Sequence, residues 1–150
     1  MTALEDGGPD PFIGRRLGRW TLQRRLGAGA VGAVYEAVHE HVSTRSAVKI
    51  LHPHYVSDQE ARDRFRSEAE LHALLKSENV VRLLEFGVSD DGVAWMALEL
   101  LEGKDLSVLL QERRCLPFRL VLWIVAQVAE GLMEVHLLNI VHRDIKPSNI

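Results

Sequence analysis

Leu26-Gly27-Ala28-Gly29-Ala30-Val31-Gly32-Ala33-Val34-Tyr35 decides the fold, because three glycines at this spacing belong to very different architectures according to the residues that come after them. Glycines let backbone N–H groups come close to phosphate oxygens, where a Cβ would hold the ligand away. The pattern Gly27-x-Gly29-x-x-Gly32 also opens dinucleotide-binding folds and occurs in plain turns. The dinucleotide fold needs a helix next and an acidic residue about 20 positions on to hold a ribose. No Asp or Glu occurs from His41 through Ser57. A P-loop needs Lys and Ser/Thr after the last glycine, and here Ala33-Val34 stands instead. Upstream, Trp20 to Leu26 is β-prone. Downstream, Val34-Tyr35 continues as strand, a charged segment Glu36 to Arg45 intervenes, and Ser46-Ala47-Val48-Lys49-Ile50-Leu51 forms another strand. The order is strand, glycine hairpin, strand, strand.

In that last strand the period of two sets Ala47, Lys49 and Leu51 on one face and Ser46, Val48 and Ile50 on the other. An isolated lysine so placed would snorkel to water; the glycine loop upstream argues for a phosphate-facing role. Ser57-Asp58-Gln59-Glu60 is a capping-box pattern that opens a helix expected to reach about Lys76. Phe65, Glu68, Leu71, His72 and Leu75 share one stripe of it. A carboxylate among apolar residues needs a cation, and Lys49 is the candidate; the alternative is a solvated Glu68 at the margin of the stripe. His72 reads as a packed or half-exposed core histidine.

Asn79 to Gly87 and Val93 to Leu98 read as two strands around a turn at Asp90-Asp91-Gly92, completing a five-stranded antiparallel sheet. Asp105 either takes a ligand hydroxyl or caps the helix from Leu106 to Arg113, the cap being the simpler reading. From Pro117 to about Leu138 runs a helix with Leu120, Ile124, Val128 and Leu132 on one stripe and Val121, Val125 and Met133 on its flank. Apolar nearly all round, it is expected to be buried. The chain then reaches His142-Arg143-Asp144-Ile145-Lys146-Pro147-Ser148-Asn149-Ile150. Asp144 has the chemistry to accept a hydroxyl proton, Lys146 to neutralise a phosphoryl oxygen, and Asn149 to offer an amide oxygen to a hard divalent cation.

Composition narrows the class. The 150 residues are 47% hydrophobic and 26% charged, enough for one domain with a sizeable core. A net charge of -3 gives no basic field for nucleic acid or anionic lipid. The single Cys115 forms no internal disulfide, so a reducing, cytoplasmic setting is expected. Met1 to Pro11 lacks the basic-then-apolar order of a secretory signal. The longest apolar stretch, Leu120 to Ala126, is too short to span a bilayer.

Taken together, Gly27-x-Gly29-x-x-Gly32-x-Val34, Val48-Lys49, Glu68 and His142-Arg143-Asp144 with Asn149 resemble the protein kinase superfamily, and Lys146 resembles its serine/threonine-specific class. Arg64-Phe65-Arg66 and Lys146-Pro147-Ser148-Asn149 resemble bacterial members. The resemblance implies an α+β, protein-kinase-like fold: a five-stranded antiparallel N-lobe with one helix over about 20–98, a hinge over about 99–104, and the start of a helical C-lobe over 105–150. Residues 1–19 are expected to form a flexible leader. It implies ATP contacts from Leu26, Gly27, Ala28, Gly29, Ala30, Val31, Gly32, Ala33 and Val34, with Val34 and Ala47 sandwiching the adenine and Lys49, held by Glu68, reaching the α- and β-phosphates. The backbone near Glu99 and Leu101 would meet the adenine edge, Leu98 would guard the pocket behind it, and Asp105 would take a ribose hydroxyl. Asp144 and Lys146 would be catalytic, and Asn149 would hold a Mg²⁺ ion. Arg143 resembles the arginine of kinases switched on by activation-loop phosphorylation. The implied partners are ATP and a protein substrate with a Ser or Thr hydroxyl, with no nucleic acid and no membrane contact from this segment; the oligomeric state stays open.

The sequence also departs from the family pattern. No Asp-Phe-Gly, activation loop or Ala-Pro-Glu lies within the 150 residues, so a second metal ligand is missing and the chain reads as an N-terminal portion with little activity of its own. In such a portion the Pro117 to Leu138 helix is expected to expose its apolar side and lower solubility. Ala30-Val31 stands at the glycine-loop tip where an aromatic or Gly is common, and Ser77-Glu78-Asn79 where His-Pro-Asn is usual. A truncated pseudokinase that binds nucleotide or a partner without chemistry is the alternative, disfavoured by intact Lys49, Asp144 and Asn149. A nicotinamide-dependent oxidoreductase is disfavoured by the missing acid after the glycines.

Overall fold

A computed structural model describes residues 10–150. Six strands, β1 (Arg16–Leu17), β2 (Trp20–Ala28), β3 (Gly32–His39), β4 (Arg45–Leu51), β5 (Leu83–Val88) and β6 (Ala94–Glu99), form one antiparallel sheet in the order β1-β2-β3-β4-β6-β5. The helices are α1 (Gln59–Leu74), α2 (Leu106–Arg113) and α3 (Phe118–Leu137), with short 3-10 turns at Pro53–Tyr55 and Pro147–Asn149. The chain divides into two compact units. The first runs to Glu70 and resumes over Leu83–Leu100; the second comprises Leu71–Arg82 and Leu101–Ile150.

In the first unit both faces of β4 are covered, which is why its alternation is legible. Val48 and Ile50 join Leu22, Tyr35, Trp95 and Ala97 on one face. Leu51 joins Phe65, Ala69 and Met96 on the other, so α1 lies against the same side of the sheet as Lys49. Gly32 is required where the glycine hairpin meets β4: an added Cβ would stand 2.2 Å from the Ile50 carbonyl oxygen.

The sheet has one more strand than expected, and the leader reading is corrected with it. Residues 1–9 of that leader lie outside the described residues. Residues 10–19 are folded: Leu17 is 1% exposed and packs with Phe12 and Trp20 in the core. β1 pairs with β2 through Arg16 opposite Thr21 and Leu17 opposite Trp20. The segment is tied further by Arg15, which donates to Ser89 Oγ at 3.1 Å and pairs with Asp91, and by Asp10, which accepts the Tyr35 hydroxyl at 2.9 Å. Burial first, and then the Asp10 carboxylate, push the Tyr35 pKa up to about 12. Glycine and proline mask this segment in the sequence because its apolar residues follow neither the helical nor the strand period.

Three boundaries also shift. The first turn of α1 is capped by Asp58, whose Oδ1 accepts the Ala61 N–H at 3.0 Å, and not by Ser57; the helix ends at Leu74 and not near Lys76. The strand expected from Asn79 begins only at Leu83.

The second unit explains that late start. Glu134 on α3 accepts the backbone N–H groups of Lys76 (2.9 Å) and Ser77 (2.6 Å), and Glu130 accepts from Asn79 Nδ2 at 3.1 Å. Gly131 lets the Asn79 carbonyl lie close, where a Cβ would sit 3.2 Å from it. Backbone drawn onto α3 in this way is withdrawn from the sheet. His72 Nδ1 lies 3.0 Å from the Val81 carbonyl, so it fastens the same segment.

α3 is not buried as a core helix; its apolar side is exposed, as expected for these 150 residues by themselves. Leu120, Ile124, Val128 and Leu132 are half-buried as their stripe requires, but only Gly131 and Val135 are fully buried. Val121, Val125 and Met133 on the flank are exposed, as is Trp123 at 62%. Among the described residues α3 is the one helix long and apolar enough to cross a membrane by length and composition, with 11% of it buried. The short stretch Leu120 to Ala126 therefore understated it: the interrupting Gln127, Glu130 and Glu134 are spaced too widely to lower its mean hydropathy far.

Candidate functional site

The first unit builds a pocket around Lys49. The β3–β4 register sets Val34 opposite Lys49, and the β4–β6 register sets Met96 opposite Lys49 and Leu98 opposite Ala47. These registers bring Val34, Ala47, Lys49 and Leu98 to one side of the sheet, as strand alternation requires. From α1, both carboxylate oxygens of Glu68 accept from Lys49 Nζ, at 2.6 and 2.8 Å. The pairing alternative for Glu68 is the one observed, and the Phe65 ring lies 5.7 Å from the same ammonium. Val31, Lys49, Tyr55, Ala61, Arg64, Phe65 and Glu68 line a cavity of about 280 Å³. Two cations, Lys49 and Arg64, border it with one carboxylate that Lys49 already engages, which suits an anionic ligand.

The glycine loop closes one side of this cavity through Val31. Gly27 and Ala28 end β2, Gly32 to Val34 begin β3, and the Gly29 N–H donates to the Gly32 carbonyl at 2.8 Å across the tip. Leu26 is exposed beside it. Ala33 differs from its neighbours: its side chain is buried in the cluster on the sheet face away from Lys49, so only its backbone is available to a ligand. Glu99 ends β6 and is half-buried.

In the second unit Leu101 is exposed, and Asp105 caps α2, accepting the Val108 N–H at 3.0 Å and the Ser107 hydroxyl. These bonds, Ser107 first, hold its carboxyl below the usual range. The loop from His142 gathers three predicted side chains. Lys146 Nζ stands 2.9 Å from Asp144 Oδ2, and Asn149 Nδ2 donates to the same oxygen at 2.9 Å and to the Asp144 carbonyl at 2.8 Å. The Lys146 ammonium, and then the Asn149 amide, hold the Asp144 carboxyl below its ordinary value, so it is a carboxylate at neutral pH. Both contacts fall on Oδ2, leaving Oδ1 without a partner among the described residues. The loop is shaped by Arg143 at φ 63° and fastened at its end by the Leu106 N–H, which donates to the Ile150 carbonyl at 2.7 Å. With Nδ2 committed to Asp144, the Asn149 Oδ1 is the atom left to meet a cation. Among the described residues no group of three His, Cys, Asp or Glu side chains converges as a metal site.

Sequence reasoning missed Tyr55, Ala61, Arg64 and Phe65 as cavity-lining residues. Tyr55 arrives through the 3-10 turn after β4, and no periodicity announces a single turn. Arg64 was legible, since it precedes Glu68 by four positions and such pairs share a helix face.

Comparison with known proteins gives this geometry a family. The chain is 37% identical over 141 residues to the serine/threonine-protein kinase Pkn1 of Myxococcus xanthus, covering 94% of this chain and 20% of that protein. It is 35% identical over 145 residues to PknA of Mycobacterium tuberculosis, covering 93% and 34% respectively. The crystal structure of the PknI kinase domain from Mycobacterium tuberculosis superposes with a TM-score of 0.76 at 33% identity, over 91% of this chain and 56% of that one. The chain thus spans a fifth and about a third of these two curated relatives and a little over half of the solved domain. The matched region takes in α3, which is accordingly a helix of the shared domain. Residues 20–150 match the family model described as protein kinase domain, and the chain belongs to that family.

Proposed function

We propose that this chain supplies the nucleotide-binding and catalytic-loop parts of an ATP-dependent kinase that phosphorylates Ser or Thr hydroxyls on proteins. The observation that carries the reading is the two-pronged bond from Lys49 to Glu68 at 2.6 and 2.8 Å, in a cavity bordered by the glycine loop. A lysine fixed by a carboxylate has its ammonium placed in advance for phosphate oxygens, which lowers the ordering cost of binding.

In this reading the glycine loop offers backbone N–H groups to the phosphates, and Val34, Ala47 and Leu98 contact the base. Lys49 neutralises the α- and β-phosphates. Glu99 and Leu101 meet the adenine edge through their backbones. Asp105 is committed to capping α2, which counts against the ribose role the resemblance implied for it. Asp144 orients the substrate hydroxyl and takes its proton as the oxygen bonds to the γ-phosphorus; the bond from that phosphorus to the β-bridging oxygen breaks, and ADP leaves. Lys146 stabilises charge on the transferring group. Magnesium, when bound, neutralises charge on the phosphates. Asn149 Oδ1 would hold that ion through one oxygen contact.

Radiolabelled phosphate transfer from ATP to a protein acceptor, assayed in the protein that carries this chain, tests the reading. Asp144→Asn is expected to lower transfer roughly 10²- to 10⁴-fold with ATP affinity retained. Transfer unchanged by Asp144→Asn would overturn the assignment.

A further inference from the structure

The turn after β4 touches the glycine loop at two places, and both contacts come from one residue. The His52 backbone N–H donates to the Val31 carbonyl at 3.0 Å. Its side chain reaches the neighbouring turn of the same loop, with Nε2 at 3.0 Å from the Gly29 carbonyl. A carbonyl only accepts, so Nε2 carries the proton in this bond. His52 is itself braced: its ring stacks on His54 at 5.4 Å and 17°, and His54 contacts Tyr55 at 4.2 Å. The Tyr55 N–H donates to the His52 carbonyl at 2.9 Å, and Tyr55 packs against the core cluster that contains Leu51 and Phe65.

We infer that His52 is a positioning residue that sets the glycine-loop tip for phosphate, an inference resting on the nucleotide reading above. A trans peptide is planar, with its C=O and the following N–H pointing in opposite directions. Fixing the Gly29 and Val31 carbonyls therefore fixes the Gly29–Ala30 and Val31–Gly32 peptide planes, and with the first of them the direction of the Ala30 N–H. Glycine flanks both planes, so without an external bond they rotate readily, and the ordering cost falls on the ligand. His52 removes part of that cost before nucleotide arrives. It also couples the loop tip to Lys49, three residues earlier in the chain, so that backbone donors and the phosphate-facing ammonium keep one spacing. The loop here carries Ala30-Val31, without an aromatic side chain to hold the tip down, and His52 performs that service from outside the loop.

The test compares wild type, His52→Ala and His52→Gln in the 150-residue chain. Fluorescence titration with an N-methylanthraniloyl ATP probe, competed by ATP and by adenosine, gives two affinities for each protein. Loss of one hydrogen bond of this kind is expected to weaken ATP roughly three- to tenfold, leave adenosine unchanged, and be recovered largely in His52→Gln, whose amide still donates. Amide hydrogen exchange without nucleotide is expected to be faster over residues 29–32 in His52→Ala alone. An ATP-to-adenosine ratio equal in wild type and His52→Ala, or unchanged exchange over 29–32, overturns the inference. Wild type that fails to bind ATP overturns the nucleotide reading, and the exchange measurement then decides the clamp by itself.

Discussion

Lys49 Nζ lies 2.6 and 2.8 Å from the two carboxylate oxygens of Glu68, joining the central strand of the sheet to the helix packed on its face. The side chains are 29% and 41% exposed, so water screens the pair and its contribution to stability is small, below about 1 kcal/mol. Its value lies in where it holds the ammonium. Glu68→Gln is expected to weaken ATP binding roughly tenfold, the scale of one charge-assisted hydrogen bond, while the melting temperature moves little. Calorimetric titration beside a thermal melt separates the two effects.

The segment before the sheet is structural. Leu17→Ala removes a side chain that is 1% exposed between Phe12 and Trp20, and is expected to cost about 2–5 kcal/mol in chemical denaturation. A Leu17→Ala midpoint equal to wild type would show that residues 10–19 do not belong to the core.

Asp144 should titrate below an ordinary aspartate. Lys146→Ala removes the largest cause of its depression and Asn149→Ala the next, so each is expected to raise the carboxyl pKa seen by carbon-detected NMR, Lys146→Ala more. The sign comes from linkage: a depressed folded-state pKa favours the folded protein above the unfolded value, and that favour fades as pH falls through the folded one. Under the proposed kinase activity the acid limb of the rate profile should move to higher pH in Lys146→Ala. A limb that stays in place would detach Asp144 from the rate.

α3 presents Phe118, Leu122, Trp123 and Val125 to solvent in this chain. Exposed apolar area on that scale promotes association. The 150 residues by themselves are expected to self-associate at micromolar concentration, and Leu122→Glu with Trp123→Gln to reduce light scattering without altering the far-ultraviolet circular dichroism. A wild-type chain that stays monomeric in sedimentation would contradict this.

The geometry of the candidate site was largely legible because it depends on local chemistry. Glycine spacing, the alternation that exposes Lys49, and the tight run from Asp144 to Asn149 each fit within a dozen residues. The Glu68 partner was legible as a choice between two readings, since helix periodicity places its face and not the residues opposite. The features that escaped depend on distant chain. Phe12 and Leu17 join the core only because Ser89, Asp91 and Trp20 lie nearby, and Asn79 leaves the sheet because Glu130 and Glu134 draw its neighbourhood onto α3. Asp58 replaced Ser57 as the helix cap because both have suitable side chains one residue apart, and spacing alone does not separate them. The exposure of α3 was legible only by weighing the helix against the chain available to cover it, because hydrophobic pattern states what a helix is able to bury and not how much is present to bury it.

Calorimetric titration of ATP into the 150-residue chain, in wild type and in Lys49→Met, tests the central claim most directly. Wild type is expected to bind ATP and Lys49→Met to bind it at least roughly tenfold more weakly, with no competition from NADH. Equal ATP affinity in the two proteins, or NADH binding that ATP does not displace, would contradict it.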